Sequence, residues 1–171
     1  MKKFDVVILA GGKGTRIKKL LKNNPKPLSK IGHLYFLEYL INNISKFYIN
    51  KIFIIAGYKG KKISKVFNNV EKNLIPIEVI VEKKPLGTGG ALSLIKNKVL
   101  NNFIVLNGDS IFDVNLNEIA NVKLKKHQSF MALTNNTNYK SNKTLANIKL
   151  KKNLVVKSSS SKIMNAGIYK F

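Results

Sequence analysis

The stretch from Phe4 to Leu28, FDVVILAGGKGTRIKKLLKNNPKPL, decides how the rest of the chain is read. Its short apolar run, Val6 to Ala10, reads as a buried strand that breaks into Gly11-Gly12-Lys13-Gly14-Thr15-Arg16, where a phosphate-binding loop belongs. Three glycines in four positions permit left-handed backbone angles and bring N–H groups close to an anion. Lys13 and Arg16 add cations. Arg16 is the only arginine among 31 basic residues, so this position asks for a planar, bidentate fork where every other takes lysine.

Two generic glycine motifs fail here. The P-loop pattern needs GxxxxGK followed by Ser or Thr, which nothing in the stretch supplies; the dinucleotide pattern begins at Gly12 and Gly14 but meets Ile17 where its third glycine belongs. A plain glycine-rich strand-to-helix turn with solvated lysines is the alternative to a phosphate loop.

At 171 residues, 44% of them hydrophobic, the chain fits one domain with a sizeable core, and no second domain is expected. Met1-Lys2-Lys3 ahead of an apolar run imitates a signal peptide, but the run ends at Gly11 after about six residues, short of the roughly 7 to 15 required. No segment approaches membrane-spanning length, and no cysteine is present to form a disulfide or a thiolate metal site. The expected location is the cytoplasm, with no membrane partner.

The net charge of +23 ordinarily suggests nucleic acid or an anionic surface. Here the lysines are scattered along the whole length and arginine is nearly absent, so nucleic acid is not expected as the main partner. A basic nucleic-acid-binding module stays as an alternative, separable by a salt-dependent gel shift.

Apolar runs then alternate with helix-like segments. Strands are expected at Ile52–Ala56, Ile77–Val81 and Phe103–Leu106, and helices at Tyr35–Phe47, Lys61–Asn69, Gly90–Lys98 and Leu116–Lys125. That alternation implies parallel strands with helical crossovers. Phe130–Thr134, Leu145–Leu150 and Leu154–Lys157 follow without intervening helices, which adds a small antiparallel portion near the C-terminus. The expected fold is therefore α/β and Rossmann-like, with a mixed, mainly parallel sheet flanked by helices.

In such sheets ligands gather beyond the carboxyl ends of the strands. The first strand delivers the glycine loop. The Ile77–Val81 strand delivers Glu82 and Pro85-Leu86-Gly87-Thr88-Gly89-Gly90, where glycines admit a flat base and a helix N-terminus faces the ligand. The Phe103–Leu106 strand delivers Asn107-Gly108-Asp109. Asp109 is a plausible single carboxylate for Mg²⁺, or else an N-cap. Asp113 reads as a cap or turn residue, while His33 in a loop and His127 at a basic helix end are not catalytic.

LAGGKGTR, PKPL, FLEYL, AGYKG, PLGTGGAL, NGDSIFDVNL and Asn165-Ala166-Gly167-Ile168-Tyr169 together resemble the sugar-phosphate nucleotidyltransferases, in order and rough spacing, over nearly the whole chain. The GT-A type nucleotidyltransferase fold follows from that resemblance. The likeness is strongest to the branch that makes GDP-activated D-glycero-α-D-manno-heptose. It implies transfer of a nucleotidyl group from a nucleoside triphosphate to a sugar 1-phosphate with Mg²⁺, in lipopolysaccharide or capsule biosynthesis; a homo-oligomer is compatible with it. By the same resemblance Gly11, Gly12, Gly14 and Thr15 hold the triphosphate. Arg16 clamps the phosphates, and Lys26 neutralises the α-phosphate or the sugar phosphate. Glu82, Gly87 and Thr88 meet the nucleotide, Asp109 the metal, and Asn107, Gly108, Asn165 and Gly167 the sugar.

Three departures stand against the pattern. Relatives carry a second metal-binding aspartate after NAGIY, beyond Phe171 here; Ser158 to Ser161 replace an acidic-lysine run; and Gly32-His33-Leu34-Tyr35 lacks a Gly-Lys-Pro. They raise the expectation of a truncated chain, and with it the alternative of a relative that binds nucleotide without turnover.

Overall fold

The computed structural model describes residues 2–17, 19, 21, 23–100, 102–135, 148–158 and 163–171. In chain order the elements are β1 (Phe4–Ala10), β2 (Lys30–Ile31), β3 (Leu34–Tyr35), α1 (Phe36–Ile44), β4 (Ile49–Ala56), α2 (Gly60–Phe67), β5 (Val70–Lys72) and β6 (Ile75–Val81). There follow α3 (Gly87–Ala91), β7 (Phe103–Asn107), α4 (Leu116–Asn121), β8 (Phe130–Asn135), β9 (Ile148–Lys151), β10 (Leu154–Lys157) and β11 (Ile163–Lys170). Short 3₁₀ turns at Thr15–Ile17, Lys26–Leu28 and Leu92–Ile95 complete the set.

The main sheet has seven strands in the order β5-β6-β4-β1-β7-β11-β8. β1 lies at its centre, paired in parallel with β4 on one side and β7 on the other. It is apolar on both faces, as a central parallel strand must be. Phe4, Val6, Ile8 and Ala10 point into one core layer and Val7 into the other. Val6, Val7 and Ile8 are fully buried, and each such side chain stabilises the fold by about 1.5–3 kcal/mol.

The helices divide between the two faces. α1, through Leu37, Leu40, Ile41 and Ile44, and α2, through Ile63 and Phe67, cover the first face. The apolar positions recur at three and four residues, so one stripe of each helix meets the sheet. Ala91 and Ile95, from α3 and its following turn, cover the second face. The change of face comes where the chain stops adding strands beyond β4 and returns to place β7 against β1. That reversal is the switch point at which open α/β sheets gather their ligands. At the opposite end of the sheet the buried Asp5 carboxylate accepts hydrogen bonds from Asn50 Nδ2 (2.8 Å) and Leu100 N (2.7 Å), tying three strand ends together away from that crevice.

The expected mixed, mainly parallel sheet is present, and its antiparallel portion is larger than the residues suggested. β11 inserts between β7 and β8, antiparallel to both, so the NAGIY segment is itself a core strand. The pair β9–β10 forms a separate hairpin, and residues 145–147 of the expected Leu145–Leu150 strand lie outside the described residues.

Four local expectations are corrected. The expected Gly90–Lys98 helix is a five-residue α3 that starts three residues earlier, at Gly87, and tightens after Ala91 into a 3₁₀ turn over Leu92–Ile95, as the last turn of a helix commonly does. The expected Leu116–Lys125 helix stops at Asn121. Its cap is Asn115, whose side chain accepts the Asn117 N–H at 3.0 Å, and not Asp113. His127, expected at a helix end, lies in a turn at φ +64°. Among the described residues no helix is long and apolar enough to cross a membrane.

Candidate active site

Three loops leave the carboxyl ends of β1, β6 and β7 on the same side of the sheet and enclose a cavity of about 400 Å³. Gly11 and Gly12 line it from β1, Glu82, Gly87 and Thr88 from β6, and Asn107, Gly108 and Asp109 from β7. Lys26 and Pro27, from the PKPL segment, close the fourth side. The register explains the convergence: Ala10 pairs with Ala56, Ala56 with Val81, and Leu9 with Asn107, so all these strands end at one level.

Each wall is set by local chemistry. Gly108 N donates to Leu9 O at 2.9 Å, and a Cβ on Gly108 would stand 2.7 Å from that oxygen, so the β7 turn can approach β1 only with glycine there. In the PKPL segment the buried Pro27 and Leu28 anchor a 3₁₀ turn, and Ser29 Oγ donates to Lys26 O at 2.8 Å. That turn aims Lys26 across the crevice. Its Nζ lies 2.8 Å from Asp109 Oδ2, so the cation of one wall is paired with the carboxylate of another.

Glu82 sits on the third wall. Its backbone N–H donates to Ala56 O at 2.9 Å, and its Oε1 accepts the Leu86 N–H at 3.3 Å, which closes the turn before α3. Its Oε2 faces the backbone of Gly11 and Gly57: a Cβ would meet it at 2.7 Å on Gly11 and at 2.4 Å on Gly57. The carboxylate therefore lies flat against two glycine backbones. α3 is too short for its N-terminus to contribute a substantial dipole to this wall.

The remaining residues singled out from the sequence fall around the rim. Of the glycines in the first loop only Gly14 adopts a positive φ, +61°, and a Cβ there would press on Leu21 and Lys26 at 3.0 and 3.1 Å. Thr15 and Lys13 line a second cavity, of about 320 Å³, together with Tyr58 and Lys59. Arg16 lies in the Thr15–Ile17 turn; its side chain is outside the description. Asn165 and Gly167 stand in an irregular stretch of β11, where three residues between Asn165 and Tyr169 face the single residue between Leu133 and Met131 on β8. Gly167, at φ +75°, packs on Asn107, whose Nδ2 would be 2.7 Å from a Cβ. Asn165 Oδ1 accepts the Gly167 N–H at 2.8 Å. Neither lines the main cavity, although Gly167 supports a side chain that does.

The AGYKG segment after β4 carries no role in the sequence reading, yet its Tyr58 and Lys59 line the second cavity. Its Gly57 has no side chain where Glu82 Oε2 packs, a contact that no local pattern in the sequence discloses. Among the described residues no group of three or more histidine, cysteine or acidic side chains gathers to hold a metal by itself.

The fold and the crevice define a class. A family model described as nucleotidyl transferase matches residues 5–171, and the chain belongs to that family. Among particular relatives, it is 38% identical over 130 residues to D-glycero-alpha-D-manno-heptose 1-phosphate guanylyltransferase of Campylobacter jejuni, covering 76% of this chain and 56% of that protein. It is 34% identical over 176 residues to the bifunctional protein GlmU of Methanococcus maripaludis, covering 98% of this chain and 40% of that protein. The structure of HddC from Yersinia pseudotuberculosis complexed with GMP-PN matches with a TM-score of 0.75 at 26% identity, covering 98% of this chain and 76% of that one. The chain thus spans 40% and 56% of the length of the two curated relatives compared.

Proposed function

We propose that the chain transfers a nucleotidyl group from GTP to a sugar 1-phosphate, releasing pyrophosphate, and that the sugar is a manno-heptose 1-phosphate. The observation that carries the reading is the crevice itself, where the glycine loop, the Lys26–Asp109 pair and the Glu82 turn meet. The likeness to a heptose 1-phosphate guanylyltransferase supports the choice of sugar and base.

The chemistry suits these residues. An oxygen of the sugar phosphate attacks the α-phosphorus, a new P–O bond forms, and the bond from that phosphorus to the β-phosphate oxygen breaks. The nucleophile is already an anion, so no general base is needed; the task is to hold two repelling anions in line and neutralise the charge between them. Lys26 supplies a cation beside the reacting phosphate, and the backbone of Gly11 and Gly12 receives the triphosphate. Glu82 orients the base, while Asn107, backed by Gly167 of the β11 bulge, faces the sugar.

Mg²⁺ fits this donor set. It keeps several waters and binds through one or two carboxylates plus substrate phosphates, and Asp109 presents a half-exposed carboxylate at the crevice. Bound there, the ion would neutralise phosphate charge as a Lewis acid.

The likeness to the bifunctional protein GlmU over nearly the whole chain supports a second reading, the same transfer with another sugar 1-phosphate. Pyrophosphate release measured over a panel of nucleoside triphosphates and sugar 1-phosphates tests both. Release with GTP and the heptose 1-phosphate alone supports the first; release with another pair replaces it. No release with any pair, together with nucleotide binding, makes the chain a binding protein.

A further inference from the structure

The glycine loop borders a second cavity, of about 320 Å³, lined by Lys13, Thr15, Leu21 and Asn23 from the loop and by Tyr58 and Lys59 from the turn after β4. Where a loop is flanked by such a cavity, the bonds at its ends decide how firmly it is held. The start is fastened by Tyr58 N, which donates to Gly11 O at 3.2 Å. The far end is fastened by Lys59, whose Nζ donates to Asn23 O at 2.9 Å and also to Asn23 Oδ1. Lys62 adds a bond to Asn23 O at 3.1 Å.

The backbone marks Lys59 as chosen for its side chain. Its φ is +54° and its ψ 31°, the left-handed region in which glycine or asparagine is favoured and lysine is strained. Glycine stands on either side of it, at Gly57 and Gly60, so the segment does not lack that residue. A lysine occupies the left-handed position against its backbone preference, and its ammonium reaches the loop at Asn23.

We propose that Lys59 is a positioning residue: by gripping Asn23 it fixes the exit of the glycine loop, and through the three residues to Lys26 it sets where that cation stands. It touches neither substrate nor reacting atom. The kinetic consequence rests on the nucleotidyl-transfer reading, whereas the effect on the loop does not.

The strain allows a test in which fold and function move apart. Lys59→Gly removes both of its bonds to Asn23, leaving only those of Lys62, and relieves the backbone, so its melting temperature equals or exceeds that of the unchanged chain. Amide hydrogen exchange of Ile17 and Asn24, which donate to Gly14 O and Leu21 O within the loop, accelerates by about tenfold while β1 and β4 exchange as before. Binding of GTP, measured by calorimetry, weakens by about fivefold or more, since a loosened loop must be ordered on binding. Lys59→Arg, which keeps a cationic donor on a long stem, restores slow exchange and most of the affinity. Unchanged loop exchange in Lys59→Gly overturns the inference, as does acceleration spread evenly over the sheet. If GTP binds neither protein, the nucleotide reading fails and the exchange data still decide the role of Lys59.

Discussion

Lys26 Nζ and Asp109 Oδ2, 83 residues apart in the chain, meet at 2.8 Å across the crevice. Their side chains keep 37% and 49% of their exposure, so the pair contributes at most about 1 kcal/mol and opens readily to a more highly charged ligand. Each partner then becomes available for a role of its own: the ammonium for a phosphate, the carboxylate for a cation.

Replacing Asp109 by Asn therefore separates two readings. As a metal ligand its loss raises the Mg²⁺ concentration needed for half-maximal pyrophosphate release by about tenfold or more, with little change in melting temperature. A turn residue would tolerate Asn, and a magnesium titration superimposable on that of the unchanged chain removes Asp109 from the metal site.

Arg16→Lys keeps charge and removes the fork. If bidentate contact with the phosphates is what this position provides, turnover falls by about tenfold or more, equivalent to about 1.4 kcal/mol, while thermal stability holds. Turnover equal to that of arginine would show that a point charge suffices.

Gly57→Ala tests the close packing behind Glu82. The added methyl would stand 2.4 Å from Glu82 Oε2 and 2.9 Å from Gly11 Cα and O, so a carboxylate and a backbone must both yield. The expected cost is about 1–3 kcal/mol of stability, read from denaturant unfolding, together with weaker nucleotide binding. Stability and binding both unchanged would mean that the turn shifts freely.

Much of this was legible in the chain because it is periodic or punctuated. The unbroken apolar run from Val6 to Ala10, the stripe on Leu37, Leu40, Ile41 and Ile44, and the glycine clusters after three strands each carry a local signal. Those signals fixed the parallel half of the sheet and the loops at its ends. What stayed hidden depends on distant contacts. Nothing near Lys26 reveals that Asp109 lies across from it, and Ile163–Lys170 does not announce a central strand because its glycine bulge interrupts the alternation. Gly57 and Lys59 were similarly opaque: a glycine is informative about a carboxylate only when the carboxylate's place is known.

A pH effect on stability comes from the other face of the sheet. Lys51 and Lys98 each donate to Glu78 at 2.7 Å and hold its carboxyl below the ordinary glutamate value. A carboxyl whose pKa is lowered by folding contributes stability above its unfolded value and loses it as pH falls through the folded one. Glu78→Gln should thus cost about 0.5–1 kcal/mol at neutral pH, and the difference should fade below the ordinary range of about pH 4.3. A gap between the two unfolding curves that persists at pH 3 would assign the loss to packing.

The choice of base is expected to rest on Glu82. Guanine presents N1–H beside an exocyclic amine, two donors that a carboxylate accepts together, while uracil offers one N–H between two carbonyls that repel it. Here Oε1 already accepts the Leu86 N–H, which orients the group, and each carboxylate oxygen retains a further lone pair for the base. An unpaired carboxylate beside uracil would be costly, so GTP should be preferred to UTP by a few kcal/mol. Glu82→Gln supplies a donor as well as an acceptor and should erode that preference chiefly by admitting UTP, with the Leu86 bond kept through the amide oxygen. The measurement is the ratio of kcat/KM for the two nucleotides in each protein. Equal ratios would leave Glu82 a turn-closing residue with no part in choosing the base.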